Sequence, residues 1–190
     1  ATARTGLTLL VASFLFSSRA EAFETIQITS YSSPGFRLSF PAISKGKVVW
    51  YAHPTSGSLA PNYFVYDIAT GQTTQITSYS GVYYQLSYPS ISDGKVAWYA
   101  HPTSNTLVPN YYVYDIATGR TTQISNYGPG GSFRVGKPAI SNGKVVWCAN
   151  PTSSTQAPNY YVYDIASGQT TQITSYSGVN FQVSDPAISN

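Results

Sequence analysis

Only one cysteine occurs in the chain, so no intrachain disulfide is available to staple the fold. Charge is scarce as well: Asp, Glu, Lys and Arg make up 9% of the residues, and the net charge of +3 comes from scattered Lys and Arg with no basic run. Nucleic-acid binding needs clustered cations to neutralise phosphates, so no nucleic-acid partner is expected. Gly-rich phosphate loops, nucleophile elbows and calcium loops are missing. No asparagine stands in a usable N-glycosylation sequon, because the one candidate, Asn150, is followed by Pro151. The longest apolar stretch, residues 6–16, is too short to span a membrane as a helix. What the chain has in quantity is tyrosine, seventeen of them, together with Ser, Thr, Gly and Pro. Such a surface is polar yet almost uncharged, which fits an extracellular or cell-surface location.

The second positive feature is repetition. Pro41-Ala42-Ile43-Ser44, Pro89-Ser90-Ile91-Ser92, Pro138-Ala139-Ile140-Ser141 and Pro186-Ala187-Ile188-Ser189 are four copies spaced 48, 49 and 48 residues apart. A parallel track runs through Gln27-Ile28-Thr29, Gln75-Ile76-Thr77, Gln123-Ile124-Ser125 and Gln172-Ile173-Thr174. The segment between the tracks occurs only three times, as Gly46 to Trp50 with Tyr66 to Ala69, Gly94 to Trp98 with Tyr114 to Ala117, and Gly143 to Trp147 with Tyr163 to Ala166.

Each repeat reads as β-structure. Residues 46–52 are rich in β-branched and aromatic side chains and bounded by Gly and Pro, a strand pattern. Residues 53–62 carry Pro near both ends and read as a loop. Tyr63 to Ile68 is a second strand, Ala69-Thr70-Gly71 a turn, and Gln72 to Thr77 its antiparallel return. Phe40 to Ser44 adds a short strand opened by Pro41, a position proline tolerates. Four antiparallel strands per period near 48 is the content of a propeller blade. The expected fold is an all-β, four-bladed propeller. Its repeats fall near 41–88, 89–137 and 138–185, with a partial one formed by 186–190 and 23–40.

Pro89-Ser90-Ile91-Ser92-Asp93-Gly94-Lys95, Val113 to Gly119 and Gln123-Ile124-Ser125 resemble the blade motifs of the TolB-like propeller family, over about residues 23–190. The resemblance implies a propeller of four-stranded blades and carries no particular activity with it. Relatives tend to have a short charged turn between the second and third strands; here a longer Pro-Thr-Ser segment replaces it.

Candidate chemistry is thin. Asp67, Asp115 and Asp164 could be taken for paired catalytic acids, but they recur at one repeat position beside a turn, where Asp commonly accepts backbone hydrogen bonds. His53 and His101 align with Asn150, so one repeat dispenses with the imidazole. Lys47, Lys95 and Lys144 recur with the repeat and read as a solvated strand edge. Cys148 stands where the other repeats have Tyr51 and Tyr99, a packing substitution. Trp50, Trp98 and Trp147 read as equivalent core positions. No catalytic residue, cofactor or metal is therefore expected. The loops at Thr55-Ser56, Thr103-Ser104 and Thr152-Ser153 have the Ser/Thr/Pro composition of O-glycosylated surfaces and read equally as solvated loops.

Residues 1–22 lie outside the repeat. Arg4, an apolar centre from Gly6 to Phe16 and Ala20-Glu21-Ala22 have the make-up of a secretory signal peptide. They also suit a missing strand. The strands at Glu24 to Thr29 and at Pro186 to Ser189 belong to one blade that lacks its two middle strands, and an open slot of that kind exposes unpaired backbone. The orphan segment is apolar on both faces: Leu7, Leu9, Val11 and Leu15 on one, Leu10, Ala12, Phe14 and Phe16 on the other.

Two functional readings follow. In one, the chain is a non-catalytic subunit of an extracellular filament of copies of itself. Leu7, Leu9, Leu10, Val11, Phe14, Leu15 and Phe16 are donated to a neighbour's slot, flanked by Ile26, Ile28, Pro186 and Ile188. In the other, it is a secreted or periplasmic propeller module that binds a protein or glycan, a fragment of a larger surface protein.

Overall fold

The computed structural model describes residues 25–30, 35–55, 60–80, 84–102, 109–127, 135–149, 157–178 and 183–189. The chain divides into two units, 1–30 and 31–190. In the first, Gln27 Nε2 donates to Thr29 O at 2.6 Å. The same local bond recurs in the second unit at Gln75, Gln123 and Gln172.

All regular structure among the described residues is β. Three antiparallel sheets follow one another along the second unit. The first holds β1 (Phe36–Leu38), β2 (Ala42–Ser44), β3 (Lys47–Pro54), β4 (Asn62–Asp67) and β5 (Gln72–Gln75). The second holds β6 (Tyr84–Leu86), β7 (Ser90–Ser92), β8 (Lys95–Pro102), β9 (Asn110–Asp115) and β10 (Arg120–Gln123). The third holds β11 (Ala139–Ser141), β12 (Lys144–Ala149), β13 (Asn159–Asp164) and β14 (Gln169–Gln172).

The turn between β2 and β3 explains the Gly-Lys motif. Lys45-Gly46, Asp93-Gly94 and Asn142-Gly143 are two-residue connections with both residues at positive φ, 45–49° for the first and 71–72° for the glycine. This geometry matches the right-handed twist of a hairpin and demands glycine at the second place.

Two features depart from the sequence reading. The strand expected to end at residue 52 runs on through His53 and Pro54, residues read as loop. Its extension is paired by β1, with Arg37 opposite His53 and Leu38 opposite Ala52. β1 and β2 thus form one edge strand interrupted at Ser39 to Pro41. The interruption is repaired by a side chain: Ser39 N donates to Tyr51 O (2.9 Å), and Tyr51 N donates to Ser39 Oγ (2.8 Å). Ser87 does the same for Tyr99 in the second sheet. In this way the Tyr51 and Tyr99 N–H groups facing the break stay paired.

Successive sheets pack face to face. Val49, Tyr63, Val65 and Ile76 of the first meet Val96, Trp98 and Tyr114 of the second. Ala97, Tyr111, Val113 and Ile124 of the second meet Val145, Trp147 and Ala149 of the third. Trp50, Trp98 and Trp147 are 3%, 0% and 1% exposed. Each stacks on the aromatic residue opposite it, Phe64, Tyr112 or Tyr161, at 5.8–5.9 Å between centroids.

Candidate functional site

The carboxylates that looked most like catalytic acids each bind the turn that follows them and a lysine across the hairpin. Asp67 Oδ1 accepts from Ala69 N, Asp115 Oδ1 from Ala117 N and Asp164 Oδ1 from Ala166 N, each at 2.9 Å. The other oxygen faces a lysine across the hairpin register: Lys47 at 3.0 Å, Lys95 at 3.3 Å, and Lys144 in the closest of the three pairs. These lysines, read from the sequence as merely solvated, are paired because the register sets residue 47 opposite residue 67.

The hydrogen bond from Lys47 holds Asp67 below the usual carboxylate range, and that from Lys144 brings Asp164 down to about 2. At Asp115 partial burial works upward, and the Ala117 N–H together with Lys95 outweighs it, so this carboxyl is also lowered. Acids held ionised in this way are poor proton donors. Burial, with Asp185 adding to it, pushes the Cys148 thiol up to about 11, the reverse of what a nucleophilic thiol requires. Among the described residues, no group of three or more His, Cys, Asp or Glu is placed to hold a metal.

The geometry concentrates instead on the junctions between sheets. Tyr63 Oη donates to Ser87 O (2.6 Å), and Tyr111 Oη to Gly136 O and Cys148 O (2.8 and 3.0 Å). Each tyrosine therefore fastens its sheet to the interrupted edge strand of the next. Tyr160 does the same to Ser184 O (2.8 Å), which brings the fourth repeat copy against the third sheet. Asp185 reinforces that contact, with its Oδ1 accepting from Lys137 N at 2.8 Å. A Cβ on Gly136 would come within 2.9 Å of this carboxylate, which would then have to shift. These tyrosines escaped the sequence reading, although their constancy beside the variable set Tyr51, Tyr99 and Cys148 signalled the role.

The two ends of the stack are unlike its interior. Ile76 and Ile124 are 8% and 5% exposed, but their counterpart Ile173 is 54% exposed, with Tyr176 also open. At the other end Ile43 is 65% exposed while its counterpart Ile140 is 8% exposed, and Phe36, Leu38 and Phe40 lie open beside it. One large cleft, of about 670 Å³, opens between the second and third sheets above Trp147 and Tyr127.

The expected interface residues fall unevenly. Leu7, Leu9, Leu10, Val11, Phe14, Leu15 and Phe16 lie outside the described residues, as do Ser56, Thr103, Ser104, Thr152 and Ser153. Thr55 is exposed. Ile26 is exposed and Ile28 half-buried in the first unit, and Pro186 and Ile188 are half-buried in the second. No helix among the described residues is long and apolar enough to cross a membrane.

No protein-family model and no curated protein matches the sequence. Solved structures do. TolB from Acinetobacter baumannii is 19% identical with a TM-score of 0.50, covering 73% of this chain and 32% of that one. The β-propeller domain of the Trilobed protease from Pyrococcus furiosus, reported to have an open velcro topology, is 11% identical with a TM-score of 0.55, covering 75% and 44%. A prolyl endopeptidase is 13% identical with a TM-score of 0.54, covering 76% and 23%. The chain thus spans less than half the length of the proteins it matches. Likeness at these identities speaks to fold alone, and the fold is that of a TolB-like β-propeller.

Proposed function

We propose that the chain is a non-catalytic structural module that assembles head to tail with copies of itself outside the cell. The observation that carries this reading is the 54% exposure of Ile173, at a position buried in both earlier repeats. A sheet face built to be covered by the next blade is left open at one end. At the opposite end a chemically different apolar surface, Phe36, Leu38, Phe40 and Ile43, is open too. Two unlike sticky surfaces on one chain favour a heterologous contact, which propagates as a filament.

In this proposal the ring is four-bladed. The fourth blade is framed on one side by the segment 183–189, and its middle is supplied by residues 6–16 of a neighbour, where backbone hydrogen bonds would give affinity and alternating apolar side chains register. The bond from Tyr160 to Ser184 supports the frame, because it repeats the one by which the earlier sheets are joined.

Sedimentation and electron microscopy of the full chain, and of a chain lacking residues 1–16, test the proposal. Donation predicts filaments from the first, and from the second soluble monomers that co-assemble with a peptide of residues 1–16. Filaments unchanged by the deletion, or a full chain that stays monomeric at high concentration, would refute it.

A further inference from the structure

The cleft between the second and third sheets has a composition unlike that of either open end. Its lining contains no carboxylate, ammonium or guanidinium group. Ile124 and Trp147, both buried, form its floor, and the half-buried rings of Tyr127, Tyr161 and Tyr163 leave apolar surface open to it. Uncharged polar groups surround it: the amides of Gln123 and Asn126 and the phenols of Tyr161 and Tyr163.

The hydrogen-bonding state of these groups matters more than their number. The indole N–H of Trp147 is already committed, donating to Tyr127 Oη at 2.7 Å, so the floor offers no donor. The Asn126 side chain is exposed, and it and the hydroxyls of Tyr161 and Tyr163 have no hydrogen-bond partner among the described residues. Asn offers two donors and an acceptor, and each phenol one donor and an acceptor. Such a site combines an apolar surface with a few convergent polar groups at about 670 Å³, within the range of small-molecule sites.

We propose that this cleft binds a short, uncharged saccharide. An ionic ligand would lose hydration without meeting a counter-charge. A purely apolar ligand would strand the amide and phenol groups. A sugar ring presents hydroxyls that can donate and accept at its edge and C–H groups on its face, which suits both parts of the lining. A proline-rich peptide also favours aromatic grooves. It has no donors of its own, so the acceptor oxygens of Asn126, Tyr161 and Tyr163 would go unmatched. This inference is independent of the assembly reading, because the cleft lies within a single chain.

The junction between the first and second sheets supplies an internal control. It carries the same residue types at the equivalent places except Thr77 for Ser125 and Ser78 for Asn126. Tyr114, the counterpart of half-buried Tyr163, is buried there. Asn126→Ser therefore installs a side chain that the fold already accepts at this place.

The test titrates the full chain with cellobiose and with lactose, read by tryptophan fluorescence and by NMR shifts of the cleft residues. Digalacturonate serves as an anionic probe and decaproline as a peptide probe. Saturable binding of at least one neutral disaccharide is expected, with Kd in the millimolar range. Asn126→Ser and Tyr163→Phe should each weaken it about three- to tenfold, the loss of one hydrogen bond, without lowering the melting temperature. No saturation with either disaccharide, indifference to both substitutions, or a stronger response to digalacturonate or decaproline would overturn the proposal.

Discussion

Ile124 and Ile173 occupy the same place in adjacent repeats, in Gln-Ile-Ser and Gln-Ile-Thr. Both backbones donate to the tyrosine one strand away, Ile124 to Tyr111 O (2.8 Å) and Ile173 to Tyr160 O (2.9 Å). Yet one side chain is buried beneath the following sheet and the other is open. Tyr111 and Tyr160 differ in the same way, the first buried and the second half-buried with its bond to Ser184 at the surface. Local sequence fixes strand, turn and hydrogen bonds identically in the two repeats. Burial is supplied by the neighbour, as expected where each repeat contacts only the next.

The comparison can be broken first at the tyrosines. Tyr111→Ala removes a fully buried aromatic and its hydrogen bonds to Gly136 O and Cys148 O, the latter keeping only the Gly136 N–H, and should cost about 3–5 kcal/mol in urea unfolding. Tyr160→Ala should cost less than half as much. Equal losses would mean that the two junctions are equally closed. Next come the isoleucines: Ile124→Ala should cost about 2–4 kcal/mol and Ile173→Ala less than about 0.5 kcal/mol in dilute protein. If Ile173 is covered in an assembly, the cost of Ile173→Ala should grow with protein concentration. A cost independent of concentration would argue against that cover.

Why were some parts legible and others not? The hairpins could be read because turn glycines and alternating apolar residues recur three times, and a signal that repeats is hard to mistake for chance. β1 could not, because Phe36-Arg37-Leu38 is only three residues long and is cut from β2 by Pro41. His53 and Pro54 read as loop because a proline ordinarily interrupts a strand. Pro54 lies opposite Phe36 at the end of β3, where the ladder bond is made by Thr55 N to Gly35 O, so no donor is required of the proline. The lysine pairings needed a register, which residue types alone do not give. Exposure of Ile173 was illegible for a deeper reason, since nothing within the Gln-Ile-Thr motif distinguishes a covered copy from an open one. The cleft above Trp147 likewise arises only when two sheets meet.

A smaller effect separates the second repeat from the others. Ser90 takes the place of Ala42, Ala139 and Ala187, and its Oγ is buried with no hydrogen-bond partner among the described residues. Ser90→Ala should therefore stabilise by about 1 kcal/mol, through removal of an unsatisfied polar atom. Destabilisation would show that the hydroxyl has found a partner, such as an ordered water. Lys45 stands out similarly, holding a φ of 45° where the other two hairpins have Asp93 and Asn142. Lys45→Asn should raise stability by about 0.5 kcal/mol, despite loss of the exposed pair with Asp93.

The faintest difference between the repeats is electrostatic. Asp67, Asp115 and Asp164 are all lowered from the ordinary 3.8, and Asp164 lies furthest down, at about 2. A carboxyl held down by folding adds stability that is fully present above its ordinary value and is lost as pH falls through its folded value. The window is therefore about pH 4 to 2. Stability should fall as acid is added across it, and Asp164→Asn should flatten the slope more than Asp115→Asn. These pairs lie toward the surface, so the slope should shrink at high salt. Urea midpoints measured at low and high ionic strength across that window check both statements. A slope unaltered by Asp164→Asn would mean that the Lys144 pair is no stronger in solution than the other two.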